Sequence, residues 1–332
     1  MNIYKIASLA DVSTTTVSKV INGKEGVSKK TRDKILKIIE DSCYTPRISN
    51  NTADVIGVVY RLDGIGFSTS SYLMKTIASI TDTLCEYGFF TTLIPYDFLP
   101  KGKADLQVFC KRRKISGYIC LNLRVNSQQV YSLAEVSPVV TINCKFEGDK
   151  IASVRSNSKE GAYNAVSQLI AYGHTDIVAF MPDLLIPDHF DRLEGYKQAL
   201  RDNNIPFKQE YVVDYSHSLQ DLPLMIERLF VGVNSPPTAA FICDDYEVMR
   251  IKSIFDRFNL RVPEDISIIG FDDYDYSAYF TPPLTTVRQP LELLGAEAAK
   301  CICQMIGNPG KAVQDVILDT QLILRKSAKS IK

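Results

Sequence analysis

Apolar residues near the N-terminus recur three or four positions apart, as they do on the buried face of a helix. Those of the first two groups are Ile6, Leu9, Ala10, Val17, Val20 and Ile21. Residues 11–13 interrupt the pattern, and Ser13 is a favourable N-cap for the second group. The sequence therefore predicts two short helices joined by a tight turn.

The polar face of the second predicted helix carries Thr14, Thr15, Ser18 and Lys19. Hydroxyls and a lysine amine can hydrogen-bond to base edges in a major groove, and threonine methyl groups can contact thymine. The exposed face of an ordinary helical hairpin more often carries Glu and Lys. The pattern therefore favours a helix-turn-helix that enters the major groove of DNA.

A third helix is predicted after Ser28, which is suited to cap it. Its apolar positions are Ile35, Leu36, Ile38 and Ile39. Its first turns carry the cations Lys29, Lys30, Arg32 and Lys34. Because cations at a helix N-terminus oppose the helix dipole, we expect a DNA phosphate to approach that end.

Beyond residue 54, apolar runs of strand length alternate with amphipathic helical stretches. The runs are DVIGVVY, FFTTLIP, SGYICLNL, SPVVTINC, TDIVAFMPD, TAAFICDD and ISIIGFDD. Continuous apolar strands between helices indicate parallel sheets that are covered on both faces. We therefore predict an α/β core of two doubly wound lobes.

Polar residues follow many of these strands, at the edge where open parallel sheets bind ligands. They are Asn122, Asn143, Asp183, Asp244, Asp245, Asp272 and Asp273. Together with Arg192, such a set suits a neutral polyhydroxylated ligand such as a sugar, and Tyr72 or Phe190 could supply a stacking ring. Asp245 and Asp273 are explained more simply as caps of the helices that follow them.

Composition and charge narrow the class of protein. With 332 residues, 45% hydrophobic and 23% charged, the chain is typical of a globular protein of two or three domains. Residues 1–50 hold nine basic and five acidic residues, whereas the rest holds 29 basic and 33 acidic. A basic head on an acidic body indicates a polyanion partner for the head. No secretory signal or membrane span is apparent, so we expect a cytoplasmic protein without a membrane partner.

Two other function classes deserve comparison. Paired aspartates could act as acid and base or bind a metal, as in an enzyme acting on sugars. However, the three histidines lie in no catalytic motif, and neither a phosphate-binding loop nor a zinc spacing occurs. We expect no catalysis, metal or cofactor. A cytosolic sugar-binding protein without DNA function is the other alternative, and the basic head argues against it.

The stretch IASLADVSTTTVSKVINGKEGVSKKTRDKILKIIEDSCYTP resembles the DNA-binding head of the lactose-repressor (LacI/GalR) family. GAYNAVSQLIAYGHTDI, RLEGYKQAL, LRVPEDISIIGFDD and PPLTTVRQP resemble the effector-binding core of that family, in the same order. The resemblance implies an all-α helix-turn-helix head and a periplasmic-binding-protein-like core whose chain crosses between the lobes three times.

The resemblance also implies roles for single residues. The positions that match base readers are Thr14, Thr15 and Lys19. Those that match contacts to phosphate or backbone are Ser13, Thr16, Ser18, Asn22 and Ser28, and we add the cation Lys29. Arg192, Asp244 and Asp272 fall on effector-contacting positions, and we extend that set with Tyr72, Phe190, Asn143 and Asn122. The chain departs from the family with Asp11 in place of a turn glycine, Asp244 in place of an asparagine and Ser156 in place of an aspartate.

We predict a head over residues 1–46, a linker over 47–55 and a core over 56–332. Within the core, the first lobe comprises about 56–155 and 286–308, and the second about 156–285 and 309–327, which places DVILDTQLILR in the second lobe. The linker RISNNTADV lacks the leucine that family members commonly wedge into the minor groove. We therefore expect no full hinge helix, and Ile48 is the only candidate wedge.

The function implied is that of a homodimeric transcription regulator, a repressor that binds near-palindromic operator DNA. A small sugar or sugar-like effector between the lobes would control it. The C-terminal LRKSAKSIK contains no leucine heptads, so we expect no tetramer built on such a coiled coil.

Overall fold

The chain folds as two units, residues 1–53 and 54–332. The structure is a computed structural model that describes residues 3–21, 26–41, 55–61, 71–216, 218–309 and 314–332. Asn22, the predicted wedge Ile48 and the side chain of Ser18 lie outside this description. Within the described ranges, no helix is long and apolar enough to cross a bilayer.

Three short helices build the head around one apolar cluster. They are α1 (Ile3–Ala10), α2 (Thr14–Ile21) and α3 (Lys29–Asp41). Ile6, Val17 and Ile35, one from each helix, are buried together and hold the helices in contact. Leu9 and Leu36, predicted to face inward, are instead 53% and 47% exposed. Three helices of this length enclose one narrow core and leave other apolar side chains outside it.

The core alternates strands and helices, as its apolar runs predict. The strands are β1 (Val55–Tyr60), β2 (Phe90–Pro95), β3 (Ile115–Leu121), β4 (Val139–Ile142), β5 (Ile151–Ser156), β6 (Ile177–Met181), β7 (Val212–Asp214), β8 (Ala239–Ile242), β9 (Ser267–Asp272), β10 (Thr285–Arg288), β11 (Val316–Leu318) and β12 (Gln321–Ile323). The helices are α4 (Ser71–Glu86), α5 (Lys103–Arg113), α6 (Gln129–Val136), α7 (Ser158–Ala171), α8 (Pro187–Asp202), α9 (Leu222–Phe230), α10 (Asp245–Arg257) and α11 (Leu291–Gly307).

These strands form two sheets, one in each lobe. The first has the order β11-β5-β4-β3-β1-β2, and the second has the order β12-β10-β9-β8-β6-β7. All pairs are parallel except β10 with β12. Helices α4 and α11 cover one face of the first sheet and α5 and α6 the other, while α7 and α8 oppose α9 and α10 across the second. The predicted doubly wound fold is confirmed.

The chain passes between the sheets after β5, after β10 and between β11 and β12. Two details differ from the predicted lobes. Thr285–Arg288 pairs with β9 in the second sheet, and Val316–Leu318 pairs with β5 in the first. The predicted lobes placed most of the former in the first lobe and all of the latter in the second. Strands of three or four residues are too short for their pattern to reveal which sheet they join.

In each lobe, a glycine lies where two helices approach closely. A Cβ atom on Gly195 of α8 would overlap the carbonyl oxygen of Lys159 in α7. A Cβ atom on Gly295 of α11 would overlap the carbonyl oxygen of Thr76 in α4. The missing side chains let each helix pair pack at backbone contact.

Candidate functional site

The turn between α1 and α2 depends on Asp11. Its φ of 57° is left-handed, and the N–H groups of Val12 and Asp11 donate to the carbonyls of Ala7 and Ser8 at 3.0 and 3.3 Å. This is the Schellman arrangement that ends many helices. Aspartate tolerates the left-handed backbone better than most residues, so the turn forms without a glycine.

The start of α2 combines a cap with an exposed polar face. Ser13 is the predicted cap, since its Oγ accepts from the Thr16 N–H at 3.1 Å and lies 2.9 Å from Thr16 Oγ1. Thr15 and Lys19 are exposed, and Thr14 is half-buried. Two threonines and one amine thus lie on a short, capped helix, where they can meet a groove of DNA.

The start of α3 gives its cations two different roles. Ser28 caps the helix as predicted, with its Oγ accepting from the Thr31 N–H at 3.2 Å. Lys29, the first residue of the helix, is exposed. Lys34 Nζ instead donates to the Ala10 carbonyl at 2.9 Å. The Lys34 amine therefore binds the end of α1 and not the DNA phosphate that the sequence predicts. Its contact is structural.

A cavity of about 330 Å³ lies between the two lobes. Of the residues predicted to contact an effector, those that line it are Tyr72, Asn122, Asn143, Arg192, Asp244 and Asp272. Phe190 does not line the cavity and is 49% exposed. Phe190 lies two residues from both Asp188 and Arg192 along α8. Helical geometry therefore turns it about 200° away from the face that lines the cavity. The structure thus offers no stacking role for Phe190.

Arg192 is the centre of a buried ion network beneath the cavity. Its guanidinium donates to Asp188, one turn earlier on α8, and to the Cys243 carbonyl. It also donates to Asp272, at the end of β9, at 3.2 Å, and lies 3.8 Å from the centre of the Phe271 ring. Burial opposes its charge, but the two carboxylates outweigh burial and raise its pKa. Its Nε is buried and has no partner among the described residues.

An amide relay connects this network to the first lobe. Gln289 Nε2 donates to Asp272 at 2.5 Å, and its Oε1 accepts from Asn143 Nδ2 at 2.9 Å and from Ser156 Oγ at 2.7 Å. The Ser156 N–H donates to Asn143 Oδ1 at 2.8 Å. Ser156 stands where the lactose-repressor family usually has an aspartate. Here it binds the residues at the crossing between the lobes and does not line the cavity.

Asp244 has both a structural contact and a place in the cavity wall. Its Oδ1 accepts from the Tyr246 N–H at 2.6 Å and caps α10. Burial, and then the nearby Asp272 carboxylate, raise its pKa well above the ordinary value. The cap alone does not neutralise this carboxylate, so a ligand that donates hydrogen bonds to it would stabilise it.

Asp245 and Asp273 have structural roles, as predicted, but neither caps a helix. The Asp245 carboxylate is buried and accepts from the hydroxyls of Ser277 and Thr286 at 2.6 and 2.7 Å. Asp273 pairs with Arg288 at 2.7 Å and with Arg325 at 2.6 Å. Both aspartates fasten the segments after β8 and β9 to the rest of the second lobe.

His189 lines the cavity beside the ion network as a neutral ring. Its Nδ1 donates to the Asp183 carbonyl at 3.0 Å. Burial, and then the charge of Arg192, lower its pKa to about 3. It therefore adds no positive charge to the cavity near neutral pH.

Two contacts fasten the lobes to each other at the cavity mouth. Arg124, after β3 of the first lobe, pairs with Asp183, after β6 of the second, at 2.8 Å. Beside them, the Val125 N–H donates to the Leu185 carbonyl at 2.9 Å. The lobes are thus bridged around the cavity.

Sequence reasoning missed several residues that line the cavity. They are Arg124, Asp188, His189, Tyr246, Glu247, Tyr274 and Gln289. Asp188 could have been found, because a position four residues before Arg192 shares its helix face. Gln289 carries no local signal, since only the crossing after β10 brings it beside Asp272.

Two family matches cover parts of the chain. Residues 2–47 match the bacterial regulatory proteins of the lacI family, and residues 166–328 match a periplasmic binding protein-like domain. The chain is similar to the probable HTH-type transcriptional repressor ExuR of Bacillus subtilis (strain 168), with 30% identity over 100% of this chain and 99% of that one.

Solved structures show the same architecture. The lac repressor dimer bound to operator and the anti-inducer ONPF has a TM-score of 0.77 and 23% identity, covering 99% of both chains. A lacI-family transcriptional regulator from Enterococcus faecium with bound ribose has a TM-score of 0.69 and 26% identity, covering 84% of this chain and 100% of that one.

Proposed function

We propose that this chain, which belongs to the lacI family of bacterial regulatory proteins, is a cytoplasmic repressor whose affinity for operator DNA is set by a small neutral sugar or sugar-like molecule. It acts as a homodimer whose two heads bind the half-sites of a near-palindromic operator. The observation that carries the proposal is a cavity above a buried arginine–aspartate network, in a chain that also has a capped helix-turn-helix head.

In the head, we assign base reading to Thr14, Thr15 and Lys19. They share a short helix and include its exposed amine. Ser13 and Thr16 hold the start of that helix through the cap, which leaves their backbone near the surface for phosphate contacts. Phosphate attraction makes the affinity for DNA fall steeply as salt rises.

In the cavity, we assign donation to the Arg192 guanidinium and acceptance to Asp244 and Asp272. These groups suit alternating hydroxyls of a polyol, and Tyr72 supplies an apolar ring face. The charged residues that line the cavity are Arg124, Arg192, Arg250, Asp183, Asp188, Asp244, Glu247 and Asp272. Five acids against three arginines disfavour an anionic ligand such as a sugar phosphate or a uronic acid.

Ligand binding is linked to DNA binding through the relative position of the lobes. A ligand that contacts both lobes favours the arrangement that it bridges. In a dimer, that arrangement sets the separation of the two heads, so ligand and operator affect each other's affinity by the same factor.

DNA binding is tested by selecting operator sequences from a random duplex library with the purified chain. Lys19→Ala is expected to weaken binding to the selected duplex about tenfold or more, since one good base contact contributes about 1–3 kcal/mol. Lys37→Ala is the matched control, because Lys37 is an exposed lysine of α3 outside the assigned face. Failure to enrich any sequence, or equal losses in both variants, would contradict the assignment.

Effector binding is tested by thermal shift against neutral sugars and their phosphate and uronic acid counterparts. A neutral sugar at about a hundred times its Kd should stabilise the chain by about 2.7 kcal/mol. Tyr72→Ala should abolish this response, whereas Phe190→Ala, which removes an aromatic ring outside the cavity, should retain it. A phosphate or uronate that bound more tightly than its neutral counterpart would contradict the ligand class.

A further inference from the structure

The longest run of consecutive basic residues lies in the core and not in the head. Residues 101–114, KGKADLQVFCKRRK, hold six basic residues and one acidic residue. The six, which we call the basic patch, are Lys101, Lys103, Lys111, Arg112, Arg113 and Lys114, and all are exposed. Residues 54–332 as a whole hold 29 basic and 33 acidic residues. A concentrated positive surface on an acidic unit indicates a polyanionic partner.

The dipole of α5 explains the position of only some of the cations in the basic patch. Cations in the last turn of α5 interact favourably with the helix dipole, and basic residues also occur in the last turns of α8 and α9. Lys101 and Lys103 lie at the opposite end, where the dipole disfavours cations. Lys103 forms an ion pair with Glu135 at 2.8 Å. Within the described part of the chain, Lys111 and Arg112 have no ion-pair partner, so their charges are available.

The patch adjoins the point where the chain from the head enters the core. The Lys114 carbonyl accepts from the N–H of Val55, the first residue of β1, at 3.1 Å. Thirteen residues join Val55 to Asp41 at the end of α3. That length of chain spans at most about 50 Å when fully extended. DNA held by the head is therefore within reach of a surface near Val55.

We propose that the basic patch binds the phosphate backbone of the DNA duplex beyond the segment held by the head. This inference rests on the proposed DNA-binding function. Backbone contacts add affinity without sequence preference and position the protein along the duplex. They would supply part of the affinity for DNA that other family members gain from a leucine wedge in the linker, which the linker here lacks.

The test uses the full-length chain and duplexes of one arbitrary sequence, about 20 and about 60 base pairs long. The variant K111E/R112E reverses two exposed charges in the last turn of α5. The matched control R201E/R228E makes the same change in net charge at exposed last-turn positions of α8 and α9 in the second lobe. Fluorescence anisotropy over a range of salt concentrations gives the affinity and the slope of log K against log salt.

On the long duplex, K111E/R112E is expected to bind roughly tenfold more weakly at low salt, with a salt slope smaller by about 2 for each protomer. On the short duplex it should match the unaltered chain, and R201E/R228E should match it on both. Circular dichroism verifies folding, and the milder K111Q/R112Q variant should show about half the change.

Equal binding of the unaltered chain and K111E/R112E to the long duplex would overturn the inference. An equal loss in R201E/R228E would overturn it too, because net charge alone would then explain the effect. If the unaltered chain bound neither duplex, the proposed regulatory function would fail and the patch with it. If the unaltered chain bound both duplexes and K111E/R112E bound them equally well, the proposed regulatory function would stand and the inference about the basic patch would fail.

Discussion

The two lobes face one cavity with different chemistry. The second lobe lines it mainly with ionisable side chains, namely Asp183, Asp188, His189, Arg192, Asp244, Glu247, Arg250 and Asp272. The first lobe contributes mostly neutral groups, namely Ser71, Tyr72, Asn122, Leu123, Ile142 and Asn143, with Arg124 at the mouth. The second lobe therefore holds a preformed set of ionisable groups built around the pairs of Arg192 with Asp188 and Asp272, whereas the first lobe adds mostly neutral groups that cost little to desolvate.

The sharpest test of this difference is the loss of the central cation. Arg192→Ala leaves Asp188 and Asp272 buried without their partner, so the free energy of unfolding should fall by about 3–5 kcal/mol. Arg124→Ala, the matched change in the first lobe, removes an arginine whose side chain is 31% exposed, and should cost about 1 kcal/mol or less. Urea denaturation measures both. Equal losses would mean that the two lobes do not differ in this way.

A second test uses acid. Because the folded pKa of His189 is about 3, the unfolded chain binds a proton below pH 6.5 that the folded chain does not. The contribution of His189 to stability should therefore fall as pH decreases from about 6.5 towards 3, by about 1.4 kcal/mol per unit. His189→Asn keeps a donor towards the Asp183 carbonyl but cannot titrate. Between pH 6 and 4, denaturation should show the variant gaining about 2–3 kcal/mol relative to the unaltered chain.

A third test concerns repulsion within the second lobe. Asp244→Asn keeps a helix cap, since asparagine caps as well as aspartate, but removes a carboxylate whose pKa is raised by burial and by Asp272. The free energy of unfolding at pH 7 should rise by about 1 kcal/mol. A decrease would show that the cap at Tyr246 needs a full negative charge.

The smallest effect is expected at the rim. Lys75 on α4 pairs with Asp275 of the second lobe at 2.6 Å, and the Asp275 side chain is 78% exposed. Lys75→Ala should lower stability by at most about 0.5 kcal/mol, and added salt should abolish the difference. A larger, salt-independent loss would place important binding energy between the lobes outside the cavity.

The sequence predicts the fold more completely than the site. Strand-length apolar runs such as 239–242 and the helical spacing of Ile6 and Val17 reflect local rules, and both elements form as predicted. The polar ends of strands likewise place Asp244 and Asp272 correctly in the cavity wall, because parallel strands end at one edge.

The relay was not predictable, since it depends on contacts distant in sequence. Gln289 reaches Asn143, 146 positions earlier, only because β10 leads into a crossing between the lobes. Phe190 illustrates the converse error. Its neighbours on α8 line the cavity, but helical rotation turns it outward, so nearness in sequence misled the prediction.

The glycines that let α7 meet α8 and α4 meet α11 have a mechanical consequence. Helix pairs at backbone contact leave no side-chain layer that could yield under load, so each lobe transmits force as a stiff lever. Bending is then confined to the three short crossings, which act as the pivot. Displacement grows with distance from a pivot, so a slight rotation at the cavity becomes a large displacement at the far end of a lobe. A side chain at Gly195 or Gly295 would push the two helices of its pair apart and soften the lever.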